Sequence, residues 1–468
     1  MRALMIGLFA LGLSATAHAQ VPPLSPDKAA FRAIYQELVE TNTTLSVGSC
    51  TEAATKVGAR LKAGGFADAD LTYFAEPSKP KEGGIVAILT GSDPKAGAVL
   101  LLGHLDVVEA RREDWTRDPF TLIEEGGYFY ARGTSDMKSI DAIWIDTLIR
   151  LKQAAKPPKR TLKLALTCGE ETNEAFNGAS WLANNRPDLV RADFGLNEGG
   201  GGRLSAEGKR EVQSVQVGEK ASQNFQLEVT NPGGHSSRPM PDNAIYHLAN
   251  ALVRIQGFTF PVKLTDTTRA AFALRAQRAD PAGQALARLL ADPTDAEAAR
   301  IAASDISVNS ILHTNCVATR LDAGHASNAL PQRARAIVNC RIFPGETWQQ
   351  TRETLLQVIG DDKVAITALN PDKPIAVPPP LDPKVVGPMK TLAAKHFPGV
   401  PLIPSMSSGA TDALYFGPVK LAIYGVPGIF GDPDGGGVHG LNERLRVQSL
   451  YDGRDYLFDL VKAYVGAK

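Results

Sequence analysis

A chain of 468 residues exceeds what one hydrophobic core usually supports, so two domains are expected. Its 50 Lys and Arg balance 50 Asp and Glu, which offers no basic excess for nucleic acid and no charge argument for a polyanion or membrane surface. No run approaches the ~20 apolar residues of a spanning helix.

Arg2 is the lone charge before a short apolar core, Leu4 to Leu13, and Ala17-His18-Ala19 offers a small-x-small cleavage site. Residues 1–19 therefore read as a signal peptide and the mature chain as exported, periplasmic or secreted. A Pro-rich leader, Val21 to Pro26, precedes helical periodicity over Lys28–Glu40 and Glu52–Lys62. Strand-like runs follow at Ile85–Leu89, Val99–Gly103, Leu162–Thr167 and Phe194–Asn197, with helices at Ile140–Lys152 and Gly178–Asn184. Continuous apolar strands between helices predict a mostly parallel sheet covered on both faces.

The character changes near Val215. Asn224–Thr230, Ile306–Leu312, Val317–Leu321 and Ala334–Ile342 read as strands, and Asp242–Ile255 as a helix. Thr265 to Ala303 reads as a helical insertion. This order predicts a small α+β domain with helices on one face. Alternation then resumes with helices at Thr347–Ile359, Pro383–His396 and Val447–Tyr464 and a strand at Leu421–Tyr424. Of the four cysteines, Cys316 and Cys340 fall in strand-like runs that could be bridged neighbours, whereas Cys168 reads as a small buried thiol.

Three of the strands run straight into ligand-type residues: His104 and Asp106, Glu170 and Glu171, and Glu198. Strand carboxyl ends are where open α/β sheets place their sites. Asp136, in a Gly-Thr-Ser-Asp-Met-Lys turn, and His439, in Val-His-Gly, complete a set for two cations. Any single strand-end carboxylate is usually solvated or a cap; the whole set has no such explanation. His104 and Asp106 could both bind metal, the economical division being His104 as ligand and Asp106 beside it. Asp136 is the candidate bridge. Glu170 and Glu171 diverge on an extended backbone, so one can bind metal while the other takes a proton from water. Because His439 joins the first site, the second domain must be inserted into the first.

The segments GHLDVV, ARGTSDMKS, TCGEET, NEGG, NPGGHSSRP, NALP, VNCRIFPGET, SGATDA and VHGLNE, between Leu101 and Asn442, resemble the M20 metallopeptidases, a family that includes carboxypeptidase G2-like, carboxypeptidase S-like and aminoacylase-1-like enzymes. The resemblance implies a zinc-exopeptidase α/β domain (27–215 and 346–468) with an inserted α+β lid domain (216–345) that often mediates dimerisation. It implies two Zn2+, with Co2+ or Mn2+ as substitutes, on His104, Asp136 (bridging), Glu171, Glu198 and His439. Glu170 becomes the general base, Asp106 its supporting carboxylate, and His235 the lid histidine that stabilises the reacting carbonyl oxygen, in some members across a dimer. Arg341 and Asn328 match positions that hold a substrate carboxylate. Ser139 and the run Ser408–Asp412 depart from the family pattern, the latter beside the substrate pocket. The implied activity is hydrolysis of a peptide or an N-acyl amino acid, with carboxypeptidase action favoured for an exported enzyme. A non-catalytic exported binding protein would need no Glu170.

Overall fold

The computed structural model describes residues 24–172 and 175–467. The expected signal peptide lies outside them.

Among the described residues a ten-stranded sheet forms the larger layer. Its centre is parallel, with Thr161–Thr167, Ala98–His104, Phe194–Asn197 and Ile423–Gly425 side by side in that order. Lys79–Leu89 on one flank and Arg210–Glu219 on the other run antiparallel to their neighbours and make the sheet mixed. Val99 and Leu101 point into one core with the helices Pro26–Glu40, Cys50–Ala63, Lys138–Lys152 and Val447–Val465. Leu100 and Leu102 point into a second core with the helix Gly178–Asn185. All four are fully buried, which is why this strand is apolar without alternation. The register pairs His104 with Thr167 and Leu101 with Leu196, so three strands end along one edge.

The second layer is a four-stranded antiparallel sheet in the order Asn315–Ala323, Arg333–Ile342, Ala221–Thr230, Ala365–Ala368. Leu248 and Ile255 of the helix Ala244–Gly257, and Leu355 and Ile359 of Trp348–Ile359, form its core. The helix Trp348–Ile359 and the strand Ala365–Ala368 thus belong with the inserted layer, beyond the boundary at 345 expected from sequence. The turn at Gly345, whose N–H donates to Ala376 O, reads as a break but does not end the layer.

Two further expectations are corrected. Ile306–Leu312 is a helix, capped by Asp305, whose carboxylate accepts from Ser307 and Val308 N–H. It buries Val308 and Leu312 against the helices of the 266–302 insertion, in a small core with Phe272 and Leu289. Cys168 is not a thiol but bonded to Cys50, the first residue of its helix, 118 positions away. Cys316 and Cys340 are bridged across directly paired strands. No helix among the described residues is long and apolar enough to cross a membrane.

Candidate metal centre

His104 is the last residue of its strand, and the carbonyl of Asp106 lies 3.0 Å from its Nδ1. That contact keeps the proton on Nδ1 and leaves Nε2 as the ligand nitrogen. His104 Nε2 stands 3.4 Å from Asp136 Oδ1 and 3.5 Å from Glu198 Oε1. The other oxygen of Asp136, Oδ2, is 3.0 Å from His439 Nε2, which also meets Glu171 Oε2 at 2.9 Å. One carboxylate therefore faces two clusters, each with its own histidine and glutamate. Ligand atoms of His104, Glu170 and Glu198 also lie within 4.8 Å of one another. Glu170 makes no ion pair with either histidine, so the structure divides the adjacent glutamates: Glu171 beside His439, Glu170 towards Glu198.

A divalent cation fits this donor set. His104 Nε2 and Asp136 Oδ1 are buried with no hydrogen-bond partner, a costly state for two polar atoms aimed at one point. Imidazole and carboxylate are the donors zinc and similar ions take. The electrostatics agree. Burial opposes a charge on His104, yet Glu198, Asp136 and Asp106 raise its pKa well above the usual imidazole range. Hydrogen bonds to Asp136 and Glu171 push His439 up to about 10. Burial raises Glu170 well above an ordinary carboxylate, with Glu198, Asp412 and Glu171 adding to the effect against His104. Such a surplus of negative charge attracts either protons or metal.

The surrounding elements set these positions. The Asp106 carboxylate accepts from the backbone N–H of Glu170 (3.4 Å) and Glu171 (3.0 Å), tying two strand ends together. Glu443, fully buried, accepts from the N–H groups of Gly133 (3.0 Å), Ser135 (2.8 Å) and Asp136 (3.1 Å) and pairs with Arg132 at 2.7 Å. It fixes the turn that carries Asp136. Sequence reasoning misses this role of Glu443; the only signal is an acid four residues after His439. His439 itself has φ +57, a left-handed conformation rare outside glycine and often met at functional sites.

A cleft of about 410 Å³ opens onto Glu170, Glu171 and His439, and Arg341 lines it with Lys373, Asp412 and Tyr415. Among the described residues Arg341 has no carboxylate partner, and burial lowers its pKa. Lys373 was not anticipated; it arrives on the Pro-rich loop after the inserted layer. His235 and Asn328 are placed elsewhere. His235 lies in a short ladder, Gly234–His235 against Ala329–Leu330, and Asn328 directly precedes it, its O accepting from Ser236 N–H at 3.0 Å. Both are exposed, and neither lines the cleft of its own chain.

Residues 100–463 match the family model described as peptidase family M20/M25/M40. The chain belongs to that family. The human N-fatty-acyl-amino acid synthase/hydrolase PM20D1 is 29% identical over 402 residues, covering 84% of this chain and 79% of the relative. The M20 family metallo-carboxypeptidase Sso-CP2 of Sulfolobus solfataricus superposes with a TM-score of 0.72 at 20% identity, covering 94% of this chain and all of that one. The Bacillus subtilis YXEP protein, described as a dinuclear metal binding peptidase of family M20, superposes at 0.59 with 14% identity, covering 94% of this chain and 99% of that one. The family's hydrolases act on amide bonds of peptides and N-acyl amino acids, and this M20 chain brings together side-chain groups that are candidates to hold metal ions.

Proposed function

We propose that this M20 chain is an exported di-zinc hydrolase that cleaves an amide bond to release an amino acid with a free carboxylate, in the manner of a carboxypeptidase or dipeptidase. The observation that carries the reading is Arg341, a half-buried cation without an acidic partner among the described residues, sharing one cleft with Glu170, Glu171 and His439. One zinc would sit by His104 and Glu198, the other by His439 and Glu171, with Asp136 between them; Co2+ or Mn2+ are substitutes. Cations held there would acidify a water and polarise the scissile carbonyl.

The chain's own residues supply the rest. Glu170 accepts the water's proton and returns it to the leaving nitrogen. Asp106 keeps the Glu170–Glu171 backbone in register with His104. The fork of Arg341 grips both oxygens of the substrate carboxylate. His235 donates to the carbonyl oxygen as negative charge develops, with Asn328 beside it, both reaching the cleft from a second copy. Pairing of two copies through the inserted layer is supported by its edge strand: Ala318 to Ala323 are exposed, with Leu321 at 67%. Two disulfides support export, since such bonds persist in oxidising compartments.

A second reading, deacylation of N-acyl amino acids, is favoured by the relative named for N-fatty-acyl amino acids. Mechanism and carboxylate grip are shared, so only the acyl side differs. Metal analysis followed by turnover on dipeptides, longer peptides and N-acyl amino acids separates the two. C-terminally amidated versions of the good substrates should be poor; equal rates with and without the carboxylate would remove Arg341 from its role. In Glu170→Gln both metals should stay while kcat falls by roughly 10²–10⁴; undiminished turnover would remove Glu170 as the base.

A further inference from the structure

The segment joining the first two helices, residues 41–49, runs along the back of the candidate metal centre and, together with Cys50 at the start of the second helix, is attached to it at three points. Lys138, on the helix that follows Asp136, donates from Nζ to Thr41 O at 2.8 Å. Thr43 Oγ1 donates to Leu105 O at 2.6 Å, between His104 and Asp106, and Val107 N–H returns a bond to Thr43 O. The third attachment is covalent, from Cys50 to Cys168, two residues before Glu170. Cys50 stands on a rigid base, because Ser49 caps its helix by accepting from Glu52 N–H.

A cavity of about 350 Å³ lies between this segment and the site, lined by Leu45, Cys50, Asp106, Val107, Cys168 and Thr172 among others. Side chains that border open space lose the dispersion contacts that hold a close-packed loop. The turn leaving Cys168 is tight: Gly169 has φ +90, and a Cβ there would fall 2.3 Å from Phe176 O. Its other ties among the described residues include hydrogen bonds from Gly178 N–H to Cys168 O at 2.8 Å, from Asn177 Nδ2 to Gly169 O at 3.0 Å, and from Glu170 and Glu171 N–H to the Asp106 carboxylate.

We propose that Cys50 and Cys168 are positioning residues for catalysis: their bond holds the Glu170–Glu171 turn at its distance from Asp106 and so sets kcat, in addition to any effect on stability. This rests on the hydrolase reading above. Reduction by a phosphine breaks the S–S bond, yields two thiols and converts the phosphine to its oxide with oxygen from water. The turn then keeps its hydrogen bonds and the core packing of Cys168 but loses its covalent tie. A displacement of about 1 Å at a reacting group costs on the order of a hundredfold in rate.

The test compares wild type, the double variant Cys50→Ala/Cys168→Ala, and the control double variant Cys316→Ala/Cys340→Ala, whose bridge lies in the inserted sheet. Steady-state kinetics on the best amide substrate are read with metal content per chain and circular dichroism at 25 °C. Oxidised wild type must turn over first, and its inactivity would overturn the hydrolase reading instead. Expected is a folded Cys50→Ala/Cys168→Ala protein with KM within about twofold and kcat lowered about ten- to a hundredfold. The control should keep its kcat. Wild type treated with tris(2-carboxyethyl)phosphine should show the same loss and regain activity on reoxidation, which decides the matter if the double variant does not fold. An unchanged kcat in the variant or in reduced wild type would overturn the proposal, as would equal losses in both double variants.

Discussion

Glu443 shows how much of a candidate metal site is shaped by a residue outside the ligand groups themselves. Its carboxylate accepts from three backbone N–H groups and an arginine in a fully buried pocket. In Glu443→Gln the volume is kept, but an amide NH2 must face donors where an oxygen was. A buried donor left unpaired costs about 1–3 kcal/mol, and loss of a group that orients a ligand lowers metal affinity roughly 10–100-fold. The expected outcome is a lower melting temperature and a weaker metal titration with the overall helix content retained. Wild-type metal affinity in this variant would show that the Asp136 turn holds its shape without Glu443. At this scale the ligand types were legible because each stands at the end of an apolar run or in a glycine-rich turn. Glu443, Lys373 and Cys50 were not, because what they touch lies far along the chain and meets them only in the fold.

The strands that carry the ligands were readable for the same reason they are strong: Val99 to Leu102 and Leu162 to Leu166 are buried on both faces, which calls for a nearly continuous apolar run, broken only at Lys163, whose Nζ donates to Asp188 O at 2.8 Å. Ile306–Leu312 had no such protection. A short run rich in branched residues suits either a strand or a helix, and the Asp305 cap with the Val308–Leu312 spacing decided for the helix. The seam between the two sheets adds a pH dependence. Glu219 ends the strand Arg210–Glu219, accepts from Thr411 N–H at 3.0 Å and Thr411 Oγ1 at 2.9 Å, and burial pushes its pKa up to about 8. A carboxyl raised in the folded state favours folding fully below its ordinary pKa of 4.5 and loses that advantage as pH climbs through about 8. Every tenfold gain in proton affinity on folding is worth about 1.4 kcal/mol. Glu219→Gln removes the titration. Its melting temperature relative to wild type should therefore rise between pH 5 and pH 8, and a difference that stays flat over that interval would show Glu219 to be ionised without penalty.

At the scale of the whole molecule, the separation between the cleft and the ladder that bears His235 and is flanked by Asn328 is the feature that sequence could not convey. The motif around His235 is legible, but whether it faces its own cleft depends on how the inserted layer sits, and within one chain neither residue lines that cleft. The proposed pairing of two inserted layers turns this into a test. His235→Ala and Glu170→Gln should each be nearly inactive alone. When the two are unfolded and refolded together, half of the pairs are mixed, and each mixed pair holds one site with an intact Glu170 and a partner-supplied His235, so about a quarter of the sites regain function in a symmetric dimer. A histidine serving its own chain predicts no recovery. Light scattering on the same samples supplies the independent reading: a single-chain mass at every accessible concentration would leave His235 without a second copy to serve.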